Sequence, residues 1–184
     1  LTLQVQATGR QYRELETTQR LYDEQLDAVR GVPGVIAAGY ASQIPLNGER
    51  DQYGARFEAT AGMSAQAYGA FRYAVSPGYV EAARIPLRAG RTLDEHDVAT
   101  TPHVAVVSES LARARFGARS PLGQEVVIGP ASFTIVGVVG DVRQVSLAAD
   151  NPEACYIPAA QSWFPDNPRS FIVRTRGNPA ALAG

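Results

Sequence analysis

LTLQVQATGRQYRELETTQRLYDEQLDAVRGVPGVIAAGYA, residues 1–41, decides the fold class. Leu1 to Ala7 alternates apolar and polar residues with the period of a half-buried strand. Thr8-Gly9 breaks the pattern. From Arg10 to Arg30, Tyr12, Leu15, Tyr22, Leu26 and Val29 recur at helical spacing as one apolar stripe. Arg13, Glu14, Glu16, Arg20, Asp23, Glu24 and Asp27 make the other face polar, and Gly31 and Pro33 end the helix. Val35 to Ala41 is the next strand. Strand, helix, strand in this order is a βαβ-type unit or half of a ferredoxin-like split unit.

Downstream, strands outnumber helices, so the expected class is α+β. Asn47-Gly48 marks a tight turn, Gln52 to Ala59 and Ala70 to Val75 are strand candidates, and 62–69 reads as an exposed loop. Ser76-Pro77 opens a short helix through about Ala83, with Ser76 as its cap. Pro86, Gly90 and Pro102 punctuate a loop. His103 to Val107 is a strand leading into a helix over 108–116, capped by Ser108 with Glu109 in its first turn. Gln124 to Ile128 and Ser132 to Gly140 form a hairpin about Gly129-Pro130. Ala154 to Ile157 and Ser170 to Arg174 are the last strands. The unbroken apolar run Ile135 to Val139 predicts a strand buried on both faces.

Composition excludes several classes. The 184 residues are 45% hydrophobic and 19% charged, enough for a real core. Net charge is -1, which gives no pull toward nucleic acid. Every basic residue is Arg, spread from Arg10 to Arg176, as coding bias would produce. Cys155 is the one cysteine, so no internal disulfide forms, and it reads as a small buried hydrophobe. No apolar run reaches the ~20 residues of a membrane helix. Leu1 in place of an initiator Met, and the helix-start signal at Asn178-Pro179, lead us to expect a piece of a longer protein whose flanks hold membrane segments.

Four groups invite a chemical reading. Asp94-Glu95-His96-Asp97, with His103 nearby, offers metal-ligand types without metal-motif spacing, and a solvated loop explains it as well. Asp141, after Val139-Gly140, lacks the multiple glycines and helix start of a phosphate loop. Ser108 and Ser110 sit at a strand-to-helix turn without GxSxG, and His96 and His103 are the only imidazole bases. Trp163-Phe164, between prolines, would be an interaction patch if exposed. No catalytic, cofactor or metal residue is therefore assigned.

Val104 to Phe116, then Pro121-Leu-Gly123, then Phe133 to Arg143 together resemble the MacB-like periplasmic core domain of MacB, LolC/E and FtsX-like permeases. Tyr79-Val80, Ile85 to Arg91 with Asp97, Val32-Pro-Gly-Val35, Pro152 to Pro158 through Gln161, and Val173 to Pro179 are similar to further segments of that family, in order. Ser108 stands where the family has Asn, and a Ser cap does the same work.

The resemblance implies two lobes: a porter-like lobe at about 1–45 and 170–184, and an inserted β-rich, sabre-like lobe at about 46–169. It implies a non-catalytic periplasmic domain of an inner-membrane ABC transporter permease that relays ATP-driven motion for export or mechanotransmission. The implied partners are a cytoplasmic ABC ATPase, a second permease subunit and a periplasmic adaptor protein, with no nucleic acid and no cofactor. The competing expectations are an extracellular small-ligand sensor and a hydrolase built on the Asp94 to His103 region.

Overall fold

The computed structural model describes residues 1–46, 52–57, 67–146, 153–167 and 169–178. The Asn47-Gly48 turn, residues 62–66 of the expected loop, and the helix start beyond Asn178 lie outside them.

The first strand, β1 (Thr2–Val5), leads to a 3-10 turn at Arg10–Arg13, then α1 (Leu15–Arg30) and β2 (Val35–Ala41). The helix expected from Arg10 is broken at Glu14, which is extended (φ -84, ψ 129). The buried Thr18 hydroxyl donates to the Tyr12 carbonyl at 2.8 Å, a local bond that competes with continuous helix. The last strand, β10 (Arg169–Thr175), lies between β1 and β2 and is antiparallel to both. So β1 and β2 are parallel and split, as the second of the two sequence readings has it. α1 buries Tyr22 and Leu26 against β2 and β10.

The other strands are β3 (Gln52–Phe57), β4 (Ala67–Val75), β5 (Leu87–Gly90), β6 (Val104–Ser108), β7 (Glu125–Ile128), β8 (Ala131–Val139) and β9 (Ala154–Pro158). Six of them close on themselves. β4 pairs with β3, β3 with β7, β7 with β8, β8 with β6, β6 with β9, and β9 with β4. A closed ring leaves none of these six strands as an edge. Its inward residues come from all six strands: Ala55, Ala70, Ala74, Ala105, Val107, Val126, Ile128, Phe133, Ile135, Val138, Cys155 and Ile157. So many alanines are what a narrow ring can hold. A second cluster, including Tyr73, Tyr79, Val106 and Tyr156, packs outside it beneath α2 (Tyr79–Ala82).

The β8 run is buried as its composition requires, but through a bulge. Ala105 faces Ile135 and Val106 faces Gly137, so Val136 is the extra residue. Phe133, Ile135 and Val138 thereby all point inward, while Val136 and Val139 point out.

Two local expectations are corrected. The Pro86–Pro102 stretch is not all loop, because Leu87–Gly90 pairs with β8. That pairing needs two glycines: a Cβ on Gly90 (φ +72) would lie 2.1 Å from the Val136 carbonyl oxygen, and one on Gly137 2.0 Å from that of Arg91. Nor is Ser76 a helix cap, since α2 starts from Gly78. Ser76 instead helps to join β2 to β4, which share one residue pair, Ala41 with Val75. The Tyr40 N–H donates to Ser76 Oγ (2.9 Å) and the Ser76 N–H to the Tyr40 carbonyl (3.0 Å). Ser42 does the same for Ala74, at 3.1 and 2.9 Å. Two hydroxyls thus replace ladder carbonyls where the sheet bends into the ring. The strand expected from Ala70 begins three residues earlier, at Ala67.

A Cβ on Gly39 would lie 2.5 Å from Tyr79 Cα, where the α2 backbone crosses β2, whereas one on Gly69 meets nothing. Gly39→Ala should therefore cost about 1–3 kcal/mol. It should lower the urea midpoint without changing the slope, while Gly69→Ala leaves the midpoint nearly in place. Equal midpoints for the two variants would contradict this packing.

Candidate functional site: the cleft beside the first helix

α1 crosses β2 and β10 through an aromatic triangle. Ring centroids of Tyr22, Tyr40 and Phe171 lie 6.0, 6.2 and 5.4 Å apart. Arg169 enters this triangle from the first position of β10 and is only 2% exposed. Its guanidinium sits 4.7 Å from the Tyr22 ring and 4.8 Å from the Tyr40 ring. Its Nη1 donates to Gln19 Oε1 (2.8 Å) and its Nε to the Asp166 carbonyl (3.0 Å). Gln19 Nε2 in turn donates to Asp23 at 2.9 and 3.0 Å, so the buried cation reaches its counter-charge through an amide. Tyr40 OH donates to Asp23 Oδ1 at 2.6 Å. Burial pushes the Tyr40 and Tyr22 hydroxyls up, so both stay protonated donors.

This network floors a cavity of about 710 Å³ between α1 and the segments 99–100 and 159–164. A second cavity of about 220 Å³ adjoins it toward the Asp94–Asp97 turn and shares Gln19, Asp23, Asp27, Ala159 and Ala160. Leu15, expected in the core on the apolar stripe, is 42% exposed and lines the larger cavity. Its helix starts beyond the sheet that covers Tyr22 and Leu26.

The segment after β9 closes one end of the ring. Trp163 is half-buried and packs against Phe133, with a Cβ on Gly129 placed 2.4 Å from it. Arg72, inward on β4, lies 5.4 Å from the Trp163 ring and 5.6 Å from that of Phe164. It pairs with Asp166 at 2.6 Å, the two side chains being 2% and 8% exposed. Loss of one partner of such a buried pair costs about 3–5 kcal/mol, against about 0–1 for an exposed pair such as Arg88–Glu109. Trp163 is therefore a plug, and only Phe164, 40% exposed, is left at the surface.

The other candidates of the sequence take structural places. Asp97 is 6% exposed and accepts both Arg91 Nη1 and Nη2 at 2.7 Å, and the Asp94 N–H at 2.9 Å. Burial raises its carboxyl, but the Arg91 and Asp94 hydrogen bonds and the Arg91 charge outweigh this and hold it below the usual value. His96 is exposed and His103 stacks on Phe133 at 5.1 Å. No set of three metal-ligating side chains comes together among the described residues. Asp141 accepts the Ser110 N–H (2.8 Å), and Ser108 Oγ accepts the Leu111 N–H (3.3 Å), so α3 (Glu109–Phe116) has two caps. Ser108 also accepts the Ala154 N–H at 3.0 Å. Burial pushes the Cys155 thiol up to about 12.

Residues 1–183 match the family model described as the MacB-like periplasmic core domain. The chain belongs to that family. It is 35% identical over 69 residues to the macrolide export ATP-binding/permease protein MacB of Aggregatibacter actinomycetemcomitans. It is 31% identical over 77 residues to the probable syringafactin export ATP-binding/permease protein SyfD of Pseudomonas syringae pv. tomato. These matches cover 38% and 41% of this chain and 11% and 12% of those proteins, so the matched stretches span only about a tenth of the relatives' length. Its fold matches the periplasmic region of MacB from Actinobacillus actinomycetemcomitans (TM-score 0.64, 15% identity, 99% of this chain and 78% of that one). It also matches the extracellular domain of the noncanonic ABC-type transporter YknZ from Gram-positive bacteria (TM-score 0.60, 19% identity, 88% and 76%). This MacB-like domain is thus a periplasmic domain of an ABC transporter permease. No helix among the described residues is long and apolar enough to cross a membrane.

Sequence reasoning passed over Arg169, Gln19, Arg72 and Asp166. Each is an ordinary polar residue in its own segment, and only long-range pairing makes it special.

Two predictions follow from the buried groups. Cys155 in the native chain should resist alkylation at pH 8 and react fully once the chain is unfolded, as followed by mass spectrometry. Asp97, with its native value lowered, contributes stability that is present above about pH 4 and lost as pH falls through that native value. Denaturant curves for Asp97→Asn should therefore lie below wild type at neutral pH and converge on it in acid.

Proposed function

We propose that this chain is a non-catalytic module that relays ATP-driven movement across the membrane within an ABC export system. The observation that carries the reading is the junction between β2 and β4. A three-stranded sheet with α1 meets the six-stranded ring through the pair Ala41–Val75 and its two serine bridges. We assign the porter-like lobe to about 1–45 and 170–184, and the β-rich lobe to about 46–169. The first residue of the domain lies beside its last strand, the Leu1 nitrogen donating to the Val173 carbonyl at 3.0 Å. That suits a domain inserted between two membrane helices that push on one end of the sheet.

The names of the relatives speak for export and for an ATP-binding partner. The partners in this reading are a cytoplasmic ABC ATPase acting through membrane helices, a second permease subunit and a periplasmic adaptor. Among the described residues, Asp97, Asp141, Arg72 and Asp166 are taken up in structural contacts, which supports a role without catalysis.

The test uses the whole transporter in lipid nanodiscs. Spin labels on cysteines at exposed Glu24 (α1) and Glu125 (β7) should report a different distance distribution with ATP than without nucleotide. The buried Cys155 takes no label. One unchanged distribution in all nucleotide states would refute the relay.

A further inference from the structure

The cleft beside α1 has a polar floor that includes Gln19 and Arg169, apolar side chains on its walls and carboxylates at its rim. Leu15 and Phe164, 42% and 40% exposed, face the larger cavity from opposite walls, with Ala159 and Ala160 between them. Glu16, Asp23, Glu24 and Asp27 line it along α1, and Asp94 and Glu95 extend the carboxylates across the adjoining cavity. The cations there are fewer: Arg20 is exposed on α1 beside Glu16 and Glu24, and Arg30 and Arg169 are engaged. Arg169 is stacked between two tyrosines, and Arg30 donates to the Pro77 carbonyl at 2.7 Å and lies 3.8 Å from Asp27.

We propose that this cleft docks a basic amphipathic segment of a partner protein. Leu15 and Phe164 take its apolar side chains, and Glu16, Glu24 and Glu95 face its arginines or lysines. Apolar anchors set affinity in such a groove, while the charged rim sets partner choice and encounter rate. A second copy of this chain is the poorer occupant, because its net charge is -1 and its arginines are dispersed. An anionic membrane surface is repelled by the same carboxylates. The proposal goes beyond the relay and stands or falls independently of it.

The experiment is fluorescence anisotropy with a labelled synthetic helix having one leucine face and one arginine face, titrated with the 184-residue chain. A leucine/glutamate helix of the same pattern is the control. The basic helix should bind, the acidic one should not, and affinity should fall as salt rises. Glu24→Arg with Glu95→Arg should weaken binding about tenfold or more and flatten the salt dependence. Leu15→Ser should weaken it while keeping the salt dependence, and Glu125→Arg, on the far strand β7, should change neither. Equal binding of both helices, or an equal loss in Glu125→Arg, overturns the proposal. So does a dimer of the chain that excludes the helix, or binding of benzyltrimethylammonium at these residues without binding of the helix, which would give the cleft to a small cation.

Discussion

The parallel pairing of β4 with β9 is the contact on which the rest depends, because it closes six strands into a ring. Closure fixes the interior volume, and the volume fixes the residues. Ala55, Ala70, Ala74 and Ala105 are small because opposing walls leave no space for more. Closure also leaves one end to be sealed. The segment after β9 does so with Trp163, held by the buried Arg72–Asp166 pair. The same crossing delivers Arg169 to the start of β10, beneath α1. The plug of the ring and the floor of the cleft are thus made by one short stretch of chain.

Charge in this domain is spent on geometry. Asp97 organises the turn after β5 through Arg91, and Asp141 adds a second cap to α3. Arg169 holds Tyr22 and Tyr40 in place, an arrangement worth roughly 0.5–2 kcal/mol per cation–ring contact in a desolvated site. These are the residue types from which active sites are made. Here Asp97 faces Arg91 and a backbone amide, Asp141 a backbone amide, and Arg169 two aromatic rings.

Two mechanical features coexist in the sheet. Within the ring every strand is paired on both sides, which makes it stiff. Between ring and split βαβ unit, the backbone pairing narrows to Ala41–Val75 with serine hydroxyls beside it. The larger cavity is walled by α1 on one side and ring-end segments on the other, and the smaller one that adjoins it reaches the junction at Val75 and Ser76.

Local pattern in the sequence determined the strand–helix–strand order of residues 1–41, the β2 limits, the hairpin of β7 and β8 and the Ser108 cap, because each depends on neighbours within a turn or a hairpin, whereas the splitting of the first unit by β10 was decided by long-range pairing. The resemblance of ordered motifs determined the family for the same reason: the motifs mark turns and caps that must recur. Ring closure, the β5 pairing, the role of Ser76 and the exposure of Leu15 were decided only in three dimensions. Gly90 and Gly137 are 47 positions apart, and nothing local announces that their backbones must touch. Arg72 and Asp166 are 94 apart, and in its own segment of sequence each reads as an ordinary polar residue. Local chemistry fixes the elements; which polar side chains are buried together depends on where closure of the ring brings distant strands.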